Sequence, residues 1–218
     1  VLFWGSLLLV SCSGNVEHSV DSNELVYSSG SVNSGEVFAT YKNVPVLFQE
    51  EMAGDKPCFV QQIEHQREDI LFRMKKIPTE LYVFKELQHA DNALRDSAIA
   101  DLKGEQMFYF ELEESYRKDL LKKYHEADYD KAVSYISFEI MNDFMLLNEH
   151  GDTLKPNFTL YERNFHLAPF ERVLIDFSGI NEGESFELVY RDNLFGKGEL
   201  RFSFPDQQFI DANTKDIL

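Results

Sequence analysis

Few stretches of this chain place chemically able side chains at a workable spacing. Glu149-His150-Gly151-Asp152 offers three metal-ligating side chains in four residues. A turn that tight does not aim all three at one ion, and further ligands would have to come from elsewhere. His-Gly-Asp also suits a β-turn for backbone reasons alone, so no metal or other cofactor is expected. Asp128-Tyr129-Asp130 lacks the glycine and the closing glutamate of a calcium loop. Glu162-Arg163 and Glu171-Arg172 flank Asn164-Phe165-His166 and admit two readings. A Glu–Arg ion pair across neighbouring strands is favoured; a carboxylate clamp built from both arginines is the other. Cys58, in Lys56-Pro57-Cys58-Phe59, has no evident base to activate its thiol. Gly196-Lys197-Gly198 lacks the leading glycine and following Ser/Thr of a phosphate loop and reads as a hairpin turn. No His-Glu-x-x-His, Gly-x-Ser-x-Gly, P-loop or dinucleotide fingerprint occurs. The chain is therefore expected not to be an enzyme.

The elements that must carry these residues are legible as periods. Thr79 to Gly104 repeats apolar residues at three and four (Val83, Phe84, Leu87, Ala90, Leu94, Ala98, Leu102), one face of a helix. Thr79 is its candidate cap, and the polar cluster Gln88, His89, Asp91 and Asn92 divides it. A second helix is expected around Glu114–Tyr124, where Arg117, Lys118, Lys122 and Lys123 form a basic, solvated face. Val44–Phe48 reads as a short edge strand because of Pro45, and Asp69–Lys75 as another strand. Alternation then marks Phe108/Phe110/Leu112, Ile136/Phe138/Ile140, Val173/Ile175/Phe177, Phe186/Leu188/Tyr190 and Leu200/Phe202/Phe204. The expected fold is α+β: a helical segment, about 79–125, with a C-terminal antiparallel β-sandwich over about 106–112 and 133–205. An immunoglobulin-like arrangement is one form this could take.

Composition bounds the partners. Lys and Arg total 21 against 38 Asp and Glu, a net charge of −17 over 218 residues. Such a surface repels phosphate backbones, which bind by exchanging counterions for Lys and Arg, so nucleic acid is not an expected partner.

The N-terminus reads as an address. Residues 1–10 are a charge-free run, mostly apolar, ahead of Ser11-Cys12-Ser13-Gly14-Asn15. About ten such residues are too few to span a bilayer and fit the apolar region of a signal peptide. Leu9-Val10-Ser11-Cys12 resembles the bacterial lipobox. That resemblance implies cleavage before Cys12 and acylation of Cys12 with chains of the palmitate kind, a stable membrane anchor. Residues 1–11 are then a lipoprotein signal peptide, expected to be truncated at its start, since no Met or basic stretch precedes the run. The Ser/Gly/Asn-rich composition of residues 12–35 suits a flexible tether reaching roughly 25 Å, and residues 36–218 are expected to form one domain. With Cys12 acylated, Cys58 has no disulfide partner.

Together the lipobox, the tether, the acidic balance and the Phe/Tyr-rich strands resemble envelope lipoproteins of the Bacteroidota. The resemblance implies a non-enzymatic accessory or interaction subunit of an outer-membrane protein complex, with a module binding glycan, peptide or cation as the second reading. Ser13-Gly14-Asn15-Val16-Glu17 holds one acidic residue, which favours the periplasmic face of the outer membrane over the cell surface. Lipoproteins of this group carry O-glycans at Asp-Ser/Thr-apolar triplets; Asp152-Thr153-Leu154 and Asp96-Ser97-Ala98 match, making Thr153 and Ser97 candidates, with Thr153 the better placed beside a turn.

Overall fold

Period-two alternation governs most of the chain, and in the computed structural model it produces two antiparallel sheets. The structure describes residues 26–27, 36–41, 44–116, 119–165, 167–180 and 184–205. The expected signal peptide, Cys12 and most of the expected tether lie outside them, as do Arg117, Lys118 and His166.

Five strands come first: β1 (Val26–Tyr27), β2 (Glu36–Tyr41), β3 (Val44–Ala53), β4 (Lys56–Arg67) and β5 (Ile70–Ile77). Helices α1 (Thr79–Glu86) and α2 (Asn92–Asp101) precede β6 (Glu105–Glu114), and α3 (Leu120–Tyr124) and α4 (Tyr129–Phe138) follow it. The chain continues as β7 (Phe144–Asn148), β8 (Thr153–Leu154), β9 (Phe158–Glu162), β10 (Phe170–Ser178), β11 (Phe186–Asp192) and β12 (Gly198–Phe204). The larger sheet has the order β1-β2-β3-β4-β5-β6-β10-β9, the smaller β12-β11-β7-β8.

The inner faces of the two sheets close on a single aromatic-rich core. Phe72, Phe108, Phe110 and Phe177 from the larger sheet meet Phe144, Phe186, Tyr190, Phe202 and Phe204 from the smaller, all buried. Phe110 alone contacts the rings of Phe72, Phe144, Tyr190 and Phe202, at centroid separations from 4.6 to 6.4 Å, within the range that favours offset and edge-to-face aromatic pairs. Leu120, Leu121, Ala132 and Ile136 of α3 and α4 plug the same core. Among the described residues no helix is long and apolar enough to cross a membrane.

The β-rich, two-sheet character agrees with the expectation, but several elements differ from it. Four consecutive strands, β2 to β5, run ahead of the helices, so the sheet does not begin after them. The larger sheet is a simple meander from β1 to β6 closed by β10 and β9; this is not the Greek-key order of an immunoglobulin domain. Pro45 does not mark a sheet edge, because β3 lies between β2 and β4. Pairing with β4 starts only at Val46, so the missing N–H leaves no gap in that ladder. The β3–β4 turn is two residues, Gly54-Asp55, and needs glycine at φ +68°.

Ile136/Phe138/Ile140 is helical, not a strand. Ile136 and Ile140 are four apart and buried, while Phe138 points outward and is 76 % exposed; three alternating residues do not separate the two periods. The helix expected at 114–124 shrinks to α3, since β6 runs through Glu114. The expected division of the 79–104 helix is real, but Pro78 rather than Thr79 occupies the cap of α1, and Asp91 caps α2 through the Leu94 N–H at 2.9 Å. Within the stretch read as tether, Val26–Tyr27 pair with Ala39 and Thr40.

Candidate functional site

Strand alternation puts a second set of residues on the face of the larger sheet that points away from the aromatic core. On β6 these are Glu105, Met107, Tyr109, Glu111 and Glu113; on β10, Arg172, Leu174, Asp176 and Ser178; on β9, Phe158, Leu160 and Glu162. The register sets them side by side: Arg172 between Glu111 and Glu162, Asp176 between Met107 and Phe158, Ser178 beside Glu105. α1 seals the middle of this face, where Leu81 packs with Val60, Ile77, Met107 and Leu174. Polar groups remain on either side of that seal.

On one side stands Glu111, 0 % exposed. Arg73 Nη1 reaches it at 3.1 Å, Lys75 Nζ at 3.1 Å, and Arg172 through Nε at 3.0 Å and Nη2 at 2.7 Å. Arg73 also holds Glu64 at 2.6 Å and Glu113 at 3.2 Å. Burial pushes the Glu111 carboxyl up, but Lys75 and Arg172 outweigh it and hold the group below its ordinary value. Tyr109, under the Arg172 guanidinium at 4.7 Å, is pushed up to about 12 by burial and by Glu162. The cross-strand pair expected from sequence forms between Arg172 and Glu162 at 3.5 Å. The two-arginine clamp does not: Arg172 is committed to Glu111, and Arg163 lies over the Phe165 ring at 5.1 Å.

On the other side stands Asp176, 4 % exposed. One amide nitrogen, Asn157 Nδ2, donates to Asp176 Oδ2 at 2.8 Å and to Glu105 Oε2 at 3.0 Å, tying the two carboxyls together. Ser178 Oγ donates to Asn157 Oδ1 at 3.0 Å. The other oxygen of Asp176, Oδ1, is buried with no hydrogen-bond donor. Burial, then the Asp176 charge and a hydrogen bond to that carboxyl, push Glu105 above its ordinary value. Among the described residues no Lys or Arg makes an ion pair with either group. The sequence offered no signal for this pair: Glu105, Asn157 and Asp176 are far apart in the chain, and only the β6–β10–β9 register brings them together.

β9 ends the larger sheet; no other strand among the described residues pairs with its outer edge, and α4 and the turn at Ile140–Asp143 pack near the strand. Phe158 and Leu160 are exposed on it, and Phe165 and Leu167 are exposed in the connection to β10. Phe165 takes φ +50°, a left-handed conformation costly for a side chain of its size. β9 itself carries no Lys or Pro, two of the residues that commonly blunt a sheet edge.

The remaining candidates are scattered. His150 Nε2 lies 3.8 Å from both Glu149 and Glu184, while Asp152 turns instead to Asn148. Glu149 and His150 are exposed. Thr153 is exposed in β8 and Ser97 exposed on α2, so both glycan candidates face solvent. Cys58 is a half-buried free thiol pushed up by burial and by Glu80. Lys123 is not a free basic face, being paired with Asp69 and with Glu114 at 2.7 Å; with Lys122, Asp119 and Glu126 it lines a shallow cleft of about 310 Å³. Asp128 of the rejected calcium loop pairs with Lys131 at 2.5 Å. Lys197, in the expected hairpin turn, pairs with Glu68 at 2.6 Å. Comparison of the chain with protein-family models, with curated proteins and with solved structures found no match in any of the three.

Proposed function

We propose that this chain is a membrane-anchored, non-enzymatic lipoprotein that serves as an accessory or interaction subunit of an outer-membrane complex. The lipobox at Cys12 supports the anchor. The observation that carries the interaction role is the strand edge of β9, which no other described strand pairs, with Phe158 and Leu160 exposed on it and Phe165 and Leu167 exposed at its end. An edge of this kind accepts an extended segment of a partner as a further strand, the backbone supplying affinity and alternate side chains the specificity. The filled aromatic core and the internally paired charges around Glu111 make the rest of the domain a scaffold for that edge.

The test is affinity purification of the full chain from detergent-solubilised envelopes, beside Leu160→Lys and Cys12→Ala. The expected result is a near-stoichiometric envelope protein recovered with the wild type, at least tenfold less of it with Leu160→Lys, and loss of the Cys12→Ala chain from the membrane fraction. Recovery of the wild-type chain alone across mild detergents, or equal partner recovery from Leu160→Lys, would overturn the reading.

A further inference from the structure

The Asp176 end of the outer sheet face has an electrostatic deficit that the chain does not fill. Two carboxyls are held by one amide nitrogen, at 2.8 and 3.0 Å. One of them is 4 % exposed and leaves Oδ1 without a partner. An unpaired buried carboxylate oxygen is unfavourable unless a positive charge or a hydrogen-bond donor meets it. We propose that Glu105, Asp176 and Asn157 form a calcium-binding site, with Ser178 at its margin.

The donor chemistry fits a hard divalent cation. Two carboxylates and one carboxamide oxygen are all oxygen donors, the set that calcium takes with water completing its shell. Turning over the Asn157 amide would exchange the nitrogen that now bridges the carboxyls for its oxygen, at no change of shape. Ser178 Oγ, now the donor to that oxygen, would accept from the turned nitrogen instead and hold the amide in its new orientation. Asn157 is exposed and Glu105 half-buried, so an ion enters from solvent and meets Asp176 at the bottom. Few protein ligands and an open rim place the affinity among weak calcium modules, with Kd of about 0.1–1 mM. The site is separate from the β9 docking edge in its chemistry and stands or falls independently of the proposed function.

The experiment uses the full chain stripped of metal by chelator. Calcium chloride is titrated calorimetrically and in thermal melts, with sodium chloride at matched ionic strength as control. The expected result is one calcium bound per chain and a Tm raised by roughly 3–11 °C at 10 mM calcium. Asp176→Asn and Glu105→Gln each weaken binding at least tenfold, while His150→Ala leaves it unchanged. Asp176→Asn also melts no lower than wild type in chelator, showing that its loss of response is not a loss of fold. A wild type indifferent to calcium at 10 mM, as when the two carboxyls share a proton, would overturn the proposal. So would Asp176→Asn and Glu105→Gln chains that respond like the wild type.

Discussion

Glu111 of β6 and Asp176 of β10 lie on the same face of neighbouring strands, and both are buried, yet their surroundings are opposite. Glu111 sits among Arg73, Lys75 and Arg172, with Glu64 and Glu113 also on Arg73 and Glu162 also on Arg172. Asp176 sits beside Glu105 with an amide between them. The first arrangement is neutralised entirely by the chain; the second is completed only from outside. A buried carboxylate is therefore not informative by its burial. What distinguishes a structural ion network from a site awaiting a ligand is whether the fold delivers the countercharge.

This difference is easiest to break by truncation. Glu111→Ala leaves Lys75 without its carboxylate at the sheet face and takes one partner each from Arg73 and Arg172, and should destabilise the domain by about 3–5 kcal/mol in urea unfolding. A loss below about 1 kcal/mol would show that the network is solvent-screened and the contrast empty. Asp176→Asn should do the reverse: with calcium chelated, removing the uncompensated charge stabilises the domain by about 1 kcal/mol. Acid titration sharpens the same contrast through its sign. Glu111, held low in the fold, contributes stability above its unfolded pKa and loses it as pH falls through its lowered folded value. Glu105, held high, is a liability at neutral pH, and the domain regains stability as pH falls through that raised value towards the ordinary carboxyl range. Melts from pH 7 to pH 3 should therefore lose an acid-stabilising segment in Glu105→Gln and an acid-destabilising one in Glu111→Gln. The smallest effect belongs to the β9 edge. Leu160 is 54 % exposed, and Leu160→Lys should shift stability by no more than about 0.5 kcal/mol. A larger loss would mean that the edge is a core element and not an interface.

Much of the architecture was legible because aromatic residues alternate cleanly: β5, β6, β10, β11 and β12 all fall where their Phe, Ile and Leu residues predict. The misreadings have local physical causes. Pro45 looked like an edge marker because one proline does not say on which side of a strand the ladder begins. Phe138 looked buried because it stands between two buried isoleucines. The cross-strand pair of Arg172 with Glu162 was readable because both lie near one short connection. The Glu105–Asn157–Asp176 constellation was not, since it depends on three strands whose order cannot be read from their periods. Nor was the cation cage of Glu111, whose Arg73 and Lys75 arrive from β5 across the ladder to β6.

The central claim is that one buried carboxyl of this face is satisfied by the chain and the other is not. It is tested most directly by carboxyl-detected NMR titration, in the metal-free protein, of Glu111 and of Glu105, the neighbour on which the Asp176 charge acts. The account predicts that Glu105 titrates above the ordinary glutamate value of about 4.3 and Glu111 below it, with calcium drawing Glu105 downward and leaving Glu111 in place. Coincident titrations, or the reverse order, would contradict it.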